Sequence, residues 1–321
     1  MRNESIDIMK AIGIILVIVG HNSEGLAFQY IYSFHMPMFF IISGYLWKER
    51  SFVKSVCHDF NRILVPYIIY FIALILLDCI LDGVSCRKLL QDLLKIIWGS
   101  AVGVDMCGLH VNGVTYLWFL PALYICKNVF NSLYILWNKI THNTICSSLL
   151  LCMSVFVCMC VGFFVHRRLF ALPFAFTMGL NALGYFYIGF CIRSLFNSNL
   201  GNLWFGMVFG VIWLLTGKIG LNNMALCVYF RMKYAIIAGV TGTFTCYYLS
   251  SFLSYFNCFA KILSIIGQYT ISILIIHHFV ANYAGLIQID NTNPILNVLL
   301  TMGIALIYVF VHYNISKKYV E

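Results

Sequence analysis

Asp7, Lys10 and His21 interrupt an otherwise apolar run over residues 6–24. Eleven residues separate Lys10 from His21, almost three whole turns at 3.6 residues per turn, so a helix projects both from one face. Their separation along the axis is roughly 16 Å at 1.5 Å per residue, about half of a ~30 Å hydrocarbon core. One face therefore carries a cation deep on one side and an imidazole near the other. Polar side chains inside a bilayer are costly; they face a bundle interior or an aqueous cavity and mark substrate or proton paths. Asp7 lies one turn below Lys10, where it holds or neutralises the ammonium.

The next apolar run reads Phe34-His35-Met36-Pro37-Met38-Phe39-Phe40-Ile41-Ile42-Ser43-Gly44-Tyr45-Leu46. Only a short loop joins it to the first, so His35 and His21 descend from the same outer side. Alone, His35 and Ser43 are ordinary packing residues; beside His21 and Lys10 they are expected to wall one cavity.

The elements that must position these groups follow from composition. The 321 residues are 62% hydrophobic and 10% charged, with a mean hydropathy of +0.90, too little charge for the surface of a soluble domain. The expected class is an all-α polytopic membrane protein. Runs long enough to span recur near 6–24, 27–47, 63–81, 115–137, 146–165, 173–193, 203–217, 234–253, 259–281 and 295–313, predicting a bundle of about ten transmembrane helices, the seventh marginal in length. An even count puts both termini on one side. Cytoplasmic termini place twelve basic residues inside, among them Arg2, Lys48, Arg50, Lys54, Arg62 and Lys127, against eight outside, with the dense 48–62 loop deciding the orientation in a cell membrane of bacterial cytoplasmic type. Asp7 and Lys10 break the apolar region of the first segment, which is therefore expected to stay rather than be cleaved as a signal peptide.

A net charge of +9 is spread thinly rather than packed into a basic patch, so the bilayer is the expected partner and nucleic acid is not. Thirteen cysteines show no CxxC pair or framework spacing; they read as small hydrophobes of a bundle core, and no metal site is expected. The chain reads as one domain, 1–321. Its longest connection, 82–114, interleaves Arg87, Lys88, Asp92 and Lys95 with leucines and isoleucines at helical period, predicting an extracytoplasmic amphipathic helix followed by a mobile Gly-bearing loop.

Lys10, ten intervening residues and His21, followed by Phe34-His35-Met36-Pro37 and Ser43-Gly44-Tyr45, resemble the acyltransferase-3 family of integral membrane O-acyltransferases, in particular its fucose 4-O-acetylase-like members. The likeness continues at Arg62-Ile63-Leu64-Val65-Pro66-Tyr67, Leu117-Trp118-Phe119-Leu120-Pro121, Leu172-Pro173-Phe174, Tyr185-Phe186-Tyr187-Ile188-Gly189 and Gly267-Gln268-Tyr269-Thr270 leading to His277, covering nearly the whole chain. The resemblance implies about ten helices, a cytoplasmic acyl-CoA donor, with acetyl-CoA expected as the co-substrate, and transfer to a hydroxyl of a cell-envelope glycan or carrier-linked sugar. It makes His21 the catalytic histidine and Lys10 the basic member of its Arg/Lys-x10-His motif. The family's Arg-x-x-Arg motif after the second span is incomplete, since Asp59 stands at its first position and only Arg62 remains. The additional C-terminal hydrolase-like domain of some relatives is also not found in these residues.

The residues supply matching roles. An alcohol is a poor nucleophile at neutral pH, and imidazole, with an unperturbed pKa of about 6.5, suits the base's task. His21 is the expected general base, or alternatively the carrier of a transient acyl group. Lys10 and Arg62 are expected to pair with donor phosphates. His35, Ser43, Trp118 and His277 are the expected acceptor-side residues, although His277 also reads as a packing histidine and Trp118 and Tyr45 as interfacial anchors. A multi-pass transporter of acyl groups or glycan is the alternative function, and a noncatalytic sensor a third. Transporters carry related halves with broken helices at matching positions, whereas the polar anchors here concentrate in the first two spans. Oligomeric state is not encoded in any pattern of the chain.

Overall fold

The computed structural model describes residues 3–83, 85–106, 108–169, 172–193, 203–229, 231–283 and 293–318. Arg2, one of the orientation-setting charges, lies outside them. Among the described residues the chain is almost entirely helical, with two short two-stranded sheets. Among the described residues seven helices are long and apolar enough to cross a membrane, and a bent pair makes an eighth. The two other predicted spans are helices too. The first carries Glu4, Asp7 and Lys10, and Leu203–Gly217 has 15 residues, about 22 Å and short of a ~30 Å core.

The chain divides into two units, the first made of residues 1–39, 198–222 and 229–321, the second of 40–197 and 223–228. In the first unit, α1 (Glu4–His21) packs against α10 (Met232–Leu253), α11 (Asn257–Gln268), α12 (Thr270–Tyr283) and α13 (Pro294–Lys318). Ten of its 18 residues are buried, including the consecutive Ile6 to Met9, so it is covered on every side. A helix covered all round belongs to a core rather than to a lipid-facing surface. Glu4 and Asp7 in its first turn and His21 in its last agree with the helix dipole. At its end Asn22 Nδ2 donates to the Ile18 carbonyl at 2.8 Å and Ser23 Oγ to the Val19 carbonyl at 2.6 Å. The turn into α2 (Gly25–Tyr45) is thereby closed by side chains, which sets His21 against the first turns of α2. α9 (Leu203–Gly217) lies on α10, and its Trp213 Nε1 donates to Ser33 Oγ of α2 at 3.0 Å.

The predicted span 259–281 is two helices bent by 71° at Tyr269. Gly267 sits where a Cβ would run into the backbone carbonyl of Asp7, so α11 approaches α1 backbone to backbone and stops there, while α12 sets off in a new direction.

The second unit contains α3 (Phe52–Asp59), a π-helical turn (Phe60–Leu64), α4 (Val65–Asp82), α5 (Cys86–Trp98), α6 (Phe119–Ile140), α7 (Thr144–Leu169) and α8 (Phe176–Cys191). α6, α7 and α8 pack on one another. Gly44 and Gly189 allow the end of α2 and α8 to touch through backbone, since a Cβ on either would meet a carbonyl oxygen, that of Phe186 or Ile41. Trp47 fills the space beside them, edge-on to Phe130, Tyr134 and Phe190.

The connection 82–114 is more ordered than a mobile loop. α5 is capped by Ser85, which accepts from the Lys88 amide, and Tyr67 of α4 donates to the Ile96 carbonyl at 3.0 Å. A hairpin of Val104–Met106 and Leu109–Val111 folds back so that Leu94, Trp98, Val104, Met106, Leu109 and Val111 form a small core of their own. Leu89, Leu90, Leu93 and Ile97 form the exposed apolar stripe of α5. The hairpin was hidden in the sequence because each strand has three residues, too few for an alternation to register.

The cysteines also depart from expectation. Cys126, Cys227 and Cys246 are buried, but Cys79, Cys152 and Cys191 are exposed. In a membrane bundle the outward surface is itself apolar, so burial inside protein is not what a small hydrophobe needs.

Asp59, the residue that breaks the arginine pair, is 1% exposed. Its carboxylate accepts from Lys127 Nζ of α6 at 2.5 Å and from His58 Nδ1 at 3.1 Å, just before the π-helical turn that carries Arg62. Removing one partner of a buried pair leaves the other uncompensated, at about 3–5 kcal/mol, whereas replacing both by apolar residues is close to neutral. Lys127→Met or Asp59→Asn should therefore lower the melting temperature in detergent, and Asp59→Leu combined with Lys127→Met should regain most of the loss. Additive losses in the double variant would show that the pair is not coupled.

Candidate functional site

His21 closes α1 and His277 lies in the middle of α12, and the fold brings them together: His21 Nδ1 and His277 Nε2 are 3.1 Å apart, with the rings parallel to within 6°. One nitrogen donates and the other accepts, so the two imidazoles share a single N–H. His277 is 2% exposed and His21 is half-buried. The neighbouring His278 is buried as well, but it is His277 that reaches His21.

α2 completes the group. His35, 1% exposed, donates from Nδ1 to the Ile31 carbonyl at 2.8 Å; a carbonyl can only accept, so the proton sits on Nδ1. Tyr32 stands edge-on to His35, with centroids 4.8 Å apart, and edge-on to His21 at 5.9 Å. His21, Tyr32, His35 and His277 thus form one cluster of rings at the C-terminal end of α1. Tyr32 was not singled out from the sequence. Its signal was present, since Phe28, Tyr32 and His35 fall at i, i+4 and i+7 on one stripe of the helix.

At the other end of α1, Lys10 Nζ donates to Asp7 Oδ1 at 2.9 Å; the lysine side chain is 20% exposed and the aspartate 4%. Gly267 presses on the Asp7 backbone at the bend between α11 and α12. The broken helix therefore touches α1 at both of its polar places, through Gly267 at Asp7 and through His277 at His21.

The remaining expected site residues belong to the second unit. Arg62 is exposed on the π-helical turn, a form that recurs at functional sites. Ser43 is half-buried and Trp118 is buried in a 3-10 turn leading into α6. The cluster around His21 is built by the first unit alone. Lys127, counted from sequence only as a topology charge, is the partner of Asp59. Cys227 is a further buried nucleophile type: Asn181 Nδ2 donates to its Sγ at 3.1 Å, and burial pushes the thiol up to about 12. Held as a neutral thiol, it is not suited to carry an acyl group.

The chain matches the acyltransferase domain family over residues 3–314, nearly its whole length. No curated protein and no solved structure matches it significantly. A conserved-family match of that extent covers both units, the Lys10 and His21 positions and the bent helix pair together. The chain belongs to the acyltransferase-3 family and is an integral membrane acyltransferase.

Proposed function

We propose that the protein transfers an acetyl group from cytoplasmic acetyl-CoA to a hydroxyl of a cell-surface glycan or carrier-linked sugar, with His21 as general base. The observation that carries this reading is the His21–His277 hydrogen bond at one end of a buried helix whose other end holds the Lys10–Asp7 pair. With Nδ1 of His21 donating to His277, the acceptor hydroxyl gives its proton to Nε2. The hydroxyl oxygen bonds to the acyl carbon, the carbon–sulfur bond breaks, and the proton passes to the departing thiolate, giving ester and free CoA thiol. His277 is a positioning residue: it fixes the tautomer and the ring plane of His21, as an orienting group does for a catalytic histidine elsewhere. His35, Ser43 and Trp118 are assigned to the acceptor side, and Lys10 and Arg62 to donor phosphates.

A transporter remains the second reading because α11 and α12 form a broken helix, a feature of transporter binding sites. Among the described residues that bent pair is single, without a matching one in the other half of the chain.

His21→Ala should remove transfer, a loss of about 10²- to 10⁴-fold in kcat being ordinary for a general base, with expression and insertion unchanged. His277→Ala should lose less, and His277→Gln should recover part of that loss because its amide oxygen accepts from Nδ1. Release of CoA thiol by purified protein is the measurement, and ordinary turnover in His21→Ala would sink the mechanism.

Lys10→Arg should keep most activity, whereas Lys10→Ala and Arg62→Ala should each raise the KM for acetyl-CoA about 10- to 150-fold, the equivalent of a charge-assisted hydrogen bond of roughly 1.5–3 kcal/mol. A donor KM unmoved in both alanine variants would relocate the donor site.

The proposed sidedness puts Lys10 and Arg62 toward the cytoplasm and the 82–114 connection outside. Ser51 and Asn112 are both exposed, which makes them labelling positions once Cys57, Cys86, Cys146, Cys258 and Cys107, the last outside the described residues, are replaced. A thiol reagent that does not cross membranes should mark Ser51→Cys only from within and Asn112→Cys only from without. The reverse pattern inverts the topology and leaves the donor site facing a compartment that holds no CoA.

A further inference from the structure

The first turns of α2 carry an aromatic ledge that the reaction as described does not use. Phe28 and Tyr32, one turn apart, have ring centroids 4.0 Å apart at a tilt of 32°. Both are half-buried, and the turn before them, Glu24 to Ala27, is exposed, so the ledge lies at the accessible end of the helix. Its inner edge is the Tyr32 ring, 5.9 Å from the His21 ring. Gln29, three residues before Tyr32 and so its neighbour on the helix surface, has a buried Oε1 with no hydrogen-bond partner among the described residues. A buried amide oxygen left unsatisfied costs about 1–3 kcal/mol, and such a group in a native protein calls for an explanation such as a missing ligand donor. A ring-stacking surface beside an unmet acceptor has the two features that recognise a pyranose: aromatic faces take its C–H face, and an amide oxygen takes one of its hydroxyls.

We propose that Phe28, Gln29 and Tyr32 form the sugar subsite for the acceptor, seating a pyranose ring so that one hydroxyl reaches His21. This assignment rests on the reading of His21 as the base, and it makes Tyr32 the residue that links acceptor recognition to the imidazole pair. An interfacial anchoring role for the two rings would account for the aromatics, but it would leave Gln29 without a function.

The probes are methyl glycosides of glucose, galactose and fucose, with glycerol as an open-chain control, followed by saturation-transfer NMR on the protein in nanodiscs. Saturation should reach the ring C–H protons of at least one glycoside and not glycerol. Phe28→Ala, Tyr32→Ala and Gln29→Ala should each cut the signal at least threefold, and Tyr32→Phe, which keeps the stacking face, should retain it and shows that the loss in Tyr32→Ala is not one of folding. No transfer to any glycoside, or the same transfer in all the alanine variants, overturns the subsite. His21→Ala separates the two claims: lost turnover with retained glycoside signal supports both, while retained turnover defeats the base assignment and leaves the glycoside signal to judge the ledge.

Discussion

The structure depends on keeping the charges of α1 away from hydrocarbon. An uncompensated carboxylate or ammonium in a bilayer is among the costliest groups a fold can hold, and a single unmet polar group already costs several kcal/mol. Asp7 is answered by Lys10 within one turn of the same helix, and His21 by His277 from another. Both answers require α1 to be surrounded, and it is, by α10, α11, α12 and α13. The helices that face outward are of a different composition: Thr144–Arg168 and Pro294–Ile315 are only 17% buried, and their hydropathies of 2.5 and 2.2 are among the highest of the spans. The division of labour between a polar inner helix and apolar outer ones is thus a consequence of solvent, before any chemistry is asked of the site.

The bend at Tyr269 serves both polar places of α1. Bent by 71°, the pair touches Asp7 through Gly267 and then carries His277 to His21. Gly267 is the residue that allows the first contact, because any side chain there would meet the Asp7 carbonyl.

Those features that depend on local spacing were legible in the chain. The Lys10 and His21 face follows from eleven residues and 3.6 per turn, the apolar runs mark every span, and the leucine pattern of 86–98 marks α5. Features that depend on distant partners were not. His21 and His277 are 256 positions apart and Asp59 and Lys127 are 68 apart, so no periodicity connects them. Asp59 illustrates the difference well: as a sequence departure it weakens a phosphate-binding motif, whereas in the fold it is a buried half of an ion pair with a task of its own. The bend was hidden for the opposite reason, since hydropathy measures length and not direction, and 259–281 is apolar on both sides of it.

A histidine paired with a second histidine, rather than with a carboxylate, suits the surroundings. An aspartate would orient the base and stabilise its imidazolium, but it would also place a permanent negative charge at the buried end of the helix, where it must be compensated at all times. A neutral imidazole orients through the same kind of hydrogen bond and carries no charge in the resting state. On the proposed mechanism, charge then exists at this end of α1 only while a proton is in transit from hydroxyl to thiolate, and it can be shared along the Nδ1–Nε2 bond during that interval. The permanent charges stay together at the other end, as the Lys10–Asp7 pair. On the proposed mechanism, the roughly 16 Å between the two ends separates the binding of a charged donor from a proton transfer that works best with no fixed charge beside it.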